Sequence, residues 1–298
     1  MSDLKLGFVG LGIMGRPMAI NLLRADYTVF VHARRAESMD PVADEGGERC
    51  ASPTEVARQA DIIFTMVADT PDVQQVILGE DGVIHGARSG SVVVDMSTIS
   101  PSATREMAAR LAAHGVEMLD APVSGGETGA IEGGLSIMVG GKAEAFERVR
   151  PMFDIMGRNI VHIGGNGAGQ VAKACNQVVI AQTIAAVGEA FLLAKASDVD
   201  PARVRQALLG GFAGSRVLEA HGQRMLDGNY DPGFKAVLHK KDMRIVLETA
   251  GELGVALPGA AMVTQLINAL VGSGHGELDS SAISLLQQKL SEIHLSAT

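Results

Sequence analysis

The sequence predicts a doubly wound, mostly parallel α/β sheet over residues 1–164, followed by an all-α domain over 165–298 that begins with a long interdomain helix. Three observations carry this. Short β-branched runs alternate with helical stretches as far as about residue 163, which is the pattern of βαβ units with strands buried on both faces. A glycine-rich turn then occupies 164–169, and beyond Gly169 every apolar segment has helical spacing. At 298 residues the chain also exceeds what a single core usually fills.

The strand candidates, in order, are "KLGFVG", "TVFVHA", "DIIFTMV", "SVVVDMS", "VEMLDAPV", "SIMVGG" and "NIVHIGG". The stretch "SPSATREMAARLAAHG" shows how an intervening helix is specified: Ser100 caps it, Pro101 suits the first turn and Gly115 ends it. Residues 170–195 read as one helix, roughly 39 Å long at 1.5 Å per residue. Five further helical stretches follow: "DPARVRQALLGG", "SRVLEAHGQRM", "FKAVLHKKDMRIVLETAGELG", "LPGAAMVTQLINALVG" and "SSAISLLQQKL". No strand pattern or tandem repeat appears among them. The junction predicts an interdomain cleft, a favoured place for a small-molecule site.

Composition narrows the function. A net charge of −9, 3% aromatic residues and no Trp argue against a nucleic-acid or acidic-membrane surface. Cys50 and Cys175, far apart, fit a reducing compartment, and the charged "MSDLKLGFVG" lacks the apolar core of an export signal. A cytoplasmic protein is expected. The most apolar long segment, 174–194, contains Asn176, Gln177, Gln182, Thr183 and Glu189, so it reads as a buried helix, not a membrane span. The histidines, His162 and His239 among them, lack metal-ligand spacing, and no metal site is expected.

Within "KLGFVGLGIMGRPMAINLL", Gly10, Gly12 and Gly15 have G-x-G-x-x-G spacing, after a strand and at the head of a helix. That context makes the domain Rossmann-type. The first glycine allows the tight turn and the second admits a pyrophosphate. The third lets the helix pack close, and its N-terminus favours an anion. Leu11, Ile13 and Met14 complete the cofactor loop. The second strand ends His32-Ala33-Arg34-Arg35, with no acid before Glu37. Arginine suits the extra phosphate of NADP(H), whereas NAD(H) sites usually carry an acid there. NADP is favoured, with NAD the rival and a merely exposed basic turn the bland alternative.

In "GGNGAGQVAKACNQVVIAQ", Lys173 heads an apolar helix, and no charged residue follows it from Ala174 to Gly188. A buried ammonium is costly unless something pairs with it or uses it. The alternative is a lysine that snorkels to water.

Three further motifs join the glycine fingerprint: "DMSTISP", "DAPVSGGETGA" over 120–130, and "GNGAGQVAKACN". With "GFVGLGIMGRPMA" and the late "HKKDM", they resemble the β-hydroxyacid dehydrogenase family across essentially the whole chain. "GGFAGSRVLEAHGQRM" is similar to the branch that reduces tartronate semialdehyde to glycerate. The resemblance implies that Lys173 is the general acid/base, and apolar surroundings would lower its pKa toward neutrality. Asn176 and Gln177, three and four residues on, share its helical face. Asn176 is the candidate for orienting the lysine and binding substrate, but some relatives carry the asparagine at the fourth position, so which amide makes the contact stays open. Ser124 with Gly125 and Gly126 is the expected turn for a small carboxylate. Thr98 and Val67 are expected near the cofactor, and Lys241 is expected to reach cofactor or substrate. "GGFAGS" either lines the pocket or is a helix–helix turn. A homodimer or homotetramer is implied. Alternative substrates are 3-hydroxyisobutyrate and succinic semialdehyde. Imine reductases share the architecture but usually lack the lysine, and a non-catalytic dinucleotide-binding module is the reading from another class.

Overall fold

The structure is a computed structural model that describes residues 4–295. Met1, Ser2 and Asp3, part of the charged start read against an export signal, lie outside the described residues. The chain divides into two compact units, Met1–Lys173 and Ala174–Thr298.

The first unit is built on a nine-stranded sheet. Its strands are β1 (Lys5–Val9), β2 (Thr28–His32), β3 (Glu48–Arg49), β4 (Ile62–Thr65), β5 (Val92–Asp95), β6 (Glu117–Asp120), β7 (Val123–Ser124), β8 (Leu135–Gly140) and β9 (Gly157–Gly164). The first six run parallel in the order β3-β2-β1-β4-β5-β6, the doubly wound arrangement expected. β8 then joins β6 and β7 antiparallel and pairs with β9 in parallel. Helices α1 (Gly15–Arg24), α2 (Asp40–Ala43), α3 (Pro53–Gln59), α4 (Thr70–Leu78), α5 (Pro101–Ala112), α6 (Gly126–Ile131) and α7 (Ala143–Met156) connect them.

Strand residues alternate between two cores, one on each face. Leu6, Phe8, Ile62, Phe64, Val92 and Val94 pack with Met18 and Leu22 of α1 and with Phe146 and Phe153 of α7. Val9, Ile63, Val93 and Met118 pack with Val56 of α3, Ile77 of α4 and Leu111 of α5. Burial on both faces is why these strands read as unbroken apolar runs. α5 starts as predicted: the Ser100 side chain accepts from the Ala103 N–H, and Pro101 stands in the first turn.

Helix α8 (Ala168–Ala196) begins in the first unit and continues into the second. Its most apolar window would suffice to cross a membrane by length and composition, but half of that window is buried. Ala181, Ile184 and Phe191 are fully buried in the helical core, so α8 is a core helix. Around it stand α9 (Pro201–Leu209), α10 (Arg216–Asp227), α11 (Ala236–Leu253), α12 (Pro258–Leu270) and α13 (Ile283–Ser291). Among the described residues of this unit, the only β-type pairing is an isolated bridge between Lys235 and Asp279. Asp279 ties the approach to α11: it accepts from the Gly233 and Phe234 N–H groups and from Ser281. Burial opposes its charge, yet hydrogen bonds from His221, Ser281 and Phe234 hold its carboxyl well below the usual carboxylate range.

Candidate active site

The glycine loop between β1 and α1 has a different reason for each glycine. Gly10 has φ +99°, and a Cβ there would run into the Met66 carbonyl and lie 2.8 Å from Val67. A Cβ on Gly15 would overlap the Gly10 carbonyl and lie 3.0 Å from the Phe8 ring. At Gly12 a Cβ would meet nothing within 4 Å. The first and third glycines therefore close the turn, and the second faces open space where a ligand can approach the backbone. Leu11 is buried, Met14 half-buried and Ile13 exposed. Met14, at the N-cap of α1, gives no side-chain cap, whereas Ser52, Asp69 and Ser100 cap α3, α4 and α5. The first turn of α1 thus has no N-cap side chain, and the positive end of its dipole suits an anion. These residues fit a dinucleotide pyrophosphate.

At the end of β2, His32 is half-buried with Nδ1 3.0 Å from the Cys50 carbonyl, while Arg34 and Arg35 lie exposed on the following turn. The Val67 N–H donates to Ser97 Oγ at 2.9 Å. Thr98, half-buried, therefore sits in a segment tied to the end of β4.

That segment is also tied to α8. Gln170 Oε1 accepts from the Ile99 N–H at 3.1 Å, and its Nε2 donates to the Ser97 carbonyl at 2.8 Å. One buried amide thereby holds the residues on either side of Thr98. The first turn of α8 is capped from the sheet: Asp120 accepts from Gly167 N–H at 2.7 Å and Gln170 N–H at 3.0 Å. Its carboxyl is shifted up by burial, against those same hydrogen bonds. A Cβ on Gly169 would overlap the Met138 carbonyl and lie 2.6 Å from the Asp120 carbonyl. The glycine run before Lys173 is therefore what lets the helix start against β6 and β8. Lys173 follows one turn later with 7% of its surface exposed, so the fully solvated snorkelling alternative does not describe it.

Beside Asp120 in register is Asp95, at the end of β5. It is fully buried, and its Oδ1 accepts from Thr65 Oγ1 at 2.7 Å and from the Ser97 N–H. Burial pushes its carboxyl up to about 7, and the neighbouring Asp120 adds to the rise. Ser124, half-buried, ends β7 opposite Ser136, and Gly125 and Gly126 follow with φ of +142° and +62°. Both angles favour glycine, which fits a turn whose successive N–H groups face a small anion.

In the second unit, Asn176 Nδ2 donates to Gln177 Oε1 at 2.7 Å, and Gln177 Nε2 donates to Asp242 Oδ2 at 2.6 Å. Lys241 Nζ lies 2.8 Å from Asp242 Oδ1. The two amides between which the sequence left the choice are thus linked to each other and to the Lys241–Asp242 pair. The "GGFAGS" stretch forms the exposed connection from α9 to α10, where Ser215 caps α10.

Sequence reasoning did not single out Asp95, Asp120 or Gln170. The first two were visible as lone acids ending apolar runs, and Gln170 as the polar residue between the last glycine and the lysine. Asp242 matches, with Lys241, the lysine–aspartate pair of the family the sequence resembles.

Comparison with known proteins bears on both units. Residues 5–164 match the model of the NAD binding domain of 6-phosphogluconate dehydrogenase. Residues 167–286 match that of the NAD-binding domain of NADP-dependent 3-hydroxyisobutyrate dehydrogenase. The chain is 50% identical over 284 residues to 2-hydroxy-3-oxopropionate reductase of Escherichia coli (strain K12), covering 94% of this chain and 96% of that one. It is 37% identical over 298 residues to a probable 3-hydroxyisobutyrate dehydrogenase-like protein, mitochondrial, of Arabidopsis thaliana, covering 100% and 89%. Among solved structures it resembles Mycobacterium tuberculosis 3-hydroxyisobutyrate dehydrogenase with L-serine, at a TM-score of 0.89 and 30% identity over 96% of this chain and 99% of that one.

Proposed function

The chain belongs to the 3-hydroxyisobutyrate dehydrogenase (β-hydroxyacid dehydrogenase) family of NAD(P)-dependent oxidoreductases, and we propose that within it this protein reduces tartronate semialdehyde to glycerate, with NADPH favoured over NADH. The observation that carries the reaction is Lys173: an ammonium 7% exposed, on a helix turn that Asp120 caps and Gln170 ties to the Thr98 segment. The 50% identity to a 2-hydroxy-3-oxopropionate reductase supports the choice of aldehyde.

Gly10, Leu11, Gly12, Ile13, Met14 and Gly15 hold the dinucleotide, with His32 at its ribose, Arg34 and Arg35 at the extra phosphate, and Val67, Thr98 and Lys241 along the remainder. The nicotinamide, when bound, supplies the hydride for the aldehyde carbon. Ser124 and the Gly125–Gly126 turn hold the substrate carboxylate. Lys173 donates a proton from Nζ to the carbonyl oxygen as the alcohol forms, and takes it back in the reverse direction. Asn176 orients the substrate. Residues 1–164 serve as the dinucleotide domain and 165–298 as the substrate and oligomerisation domain, in a cytoplasmic homodimer or homotetramer. The free thiols of Cys50 and Cys175 support that compartment.

The test is oxidation of NADPH and of NADH with tartronate semialdehyde and with succinic semialdehyde, for the wild type and for Lys173→Ala. Faster turnover of tartronate semialdehyde is expected. The variant should lose about 10²–10⁴-fold in kcat while still binding NADPH. Wild-type turnover by Lys173→Ala would end the lysine assignment, and a preference for succinic semialdehyde would end the substrate assignment.

A further inference from the structure

A carboxyl is a costly residue with which to end a central strand, since burial opposes its ionised form. Asp95 ends β5 fully buried, and its hydrogen bonds show what it holds. Its Oδ1 accepts from Thr65 Oγ1 at 2.7 Å, which joins it to the last residue of β4, its partner in register. The same oxygen accepts from the Ser97 N–H, two residues on, and so closes an Asx-type turn where the chain leaves β5. Ser97, also fully buried, takes the Val67 N–H on its Oγ at 2.9 Å. One carboxyl oxygen thereby ties together the exits of two neighbouring strands.

Those exits lie where a doubly wound sheet takes its ligand. In the order β3-β2-β1-β4-β5-β6 the winding reverses between β1 and β4, and ligands bind in the crevice beyond the carboxyl ends at such a point. The glycine turn forms the β1 side of that crevice, and Met66 and Val67 form the β4 side. The two sides touch. A Cβ on Gly10 would run into the Met66 carbonyl and lie 2.8 Å from Val67 Cγ1, and the Met66 N–H donates to the Val9 carbonyl at 2.9 Å. We infer that Asp95 is a positioning residue for the dinucleotide, which through Ser97 holds the Met66–Val67 backbone where the Gly10 turn closes against it. The inference rests on the reading of that turn as the dinucleotide site, and it places a support for the site one strand away from the crevice.

The experiment titrates NADPH and NADH into the full chain, read by the fluorescence of the bound nicotinamide, with thermal melts alongside. It compares the wild type, Asp95→Ala, Ser97→Ala, the double variant and Asp95→Asn. Asp95→Ala and Ser97→Ala should each raise Kd about tenfold, the scale of one buried polar group left unpaired. Both act through the same contact, so the double variant should lose no more than about threefold beyond either single one. Asp95→Asn keeps an acceptor oxygen for Thr65 and Ser97 and should bind within about threefold of the wild type. In turnover, the loss should appear as a higher KM for the dinucleotide and not as a lower kcat. A lower melting temperature with unchanged Kd in Asp95→Ala would mean that the carboxyl only supports the fold, and overturns the inference. A double-variant loss equal to the product of the single losses would make the two residues independent, and overturns it too. If Asp95→Ala does not fold, Ser97→Ala decides, and a wild-type Kd there overturns the relay. Gly12→Val tests the site itself, since a Cβ there meets nothing within 4 Å and would stand in the space left for the ligand. It should abolish binding. A wild-type Kd in Gly12→Val would end the reading of the turn as the site, and the inference with it. Binding lost in Gly12→Val but untouched in the Asp95 and Ser97 variants would end the positioning role alone.

Discussion

Asp95 is a carboxyl whose proton the folded protein holds far above the ordinary carboxylate range. It is fully buried, its Oδ2 has no hydrogen-bond partner among the described residues, and burial pushes it up to about 7. An unfolded chain releases that proton near pH 4. Between about pH 4 and 7 the folded state therefore holds a proton the unfolded state has shed, and stability falls as pH rises through that window. Asp95→Asn keeps the acceptor for Thr65 and Ser97 without the ionisable oxygen. Thermal melts should show it gaining a few degrees over wild type at pH 8 and little at pH 5; equal shifts at both would mean that Asp95 is not protonated. Arg34 and Arg35, exposed after β2, make a second prediction: replacing both with Ala should raise KM for NADPH about tenfold or more and KM for NADH little. Parallel rises would leave them as an ordinary basic turn. Lys173 stood out because its charge contradicts its apolar surroundings in the sequence, and it is buried. Asp95 and Asp120 were not, because an acid ending an apolar run looks like a strand leaving for solvent. Their partners arrive from as far as 50 residues away.

Element by element, Gln170 joins the segment after β5 to the first turn of α8. Gln170→Ala strands the Ile99 N–H and the Ser97 carbonyl, both buried, at about 1–3 kcal/mol for each group left unpaired. The expected outcome is a lower denaturation midpoint together with a lower kcat; a midpoint within error of wild type would mean water replaces the amide. The strands with long apolar runs and the Ser100-Pro101 helix start were readable, since local propensity and tertiary burial agree there. The two-residue strands β3 and β7 were not marked out, being too short to show a period. Nor did the sequence reveal that β8 turns antiparallel to β6 and β7, since an apolar run looks the same in either direction. Helix α8 starts at Ala168, before the expected residue 170, because its cap is Asp120 and not a neighbour in sequence.

For the molecule as a whole, length and composition already implied two domains and argued against the basic, aromatic surfaces of nucleic-acid binders. The order of β-strands beyond β6 and the polar links of the second unit needed the folded chain. Dinucleotide binding to the folded state should raise the melting temperature with concentration, by about 2.7 kcal/mol of stabilisation at 100 times Kd. NADPH at that excess with no shift would contradict the open glycine turn as its site. Light scattering after size exclusion should return two or four chain masses, and a monomer would end the oligomer proposal. The cap on α8 has one more effect, on the order in which the chain comes together. Helices usually nucleate from residues next to their own first turn, but the acceptor for the Gly167 and Gln170 amides is 47 and 50 residues upstream, on a strand in the middle of a sheet. The leading turn of α8 can close only after β6 has docked. Amide hydrogen exchange at those two positions will therefore report the opening of the sheet, while amides in the middle of the same helix, around Ile184, report the helical core. One helix carries two clocks.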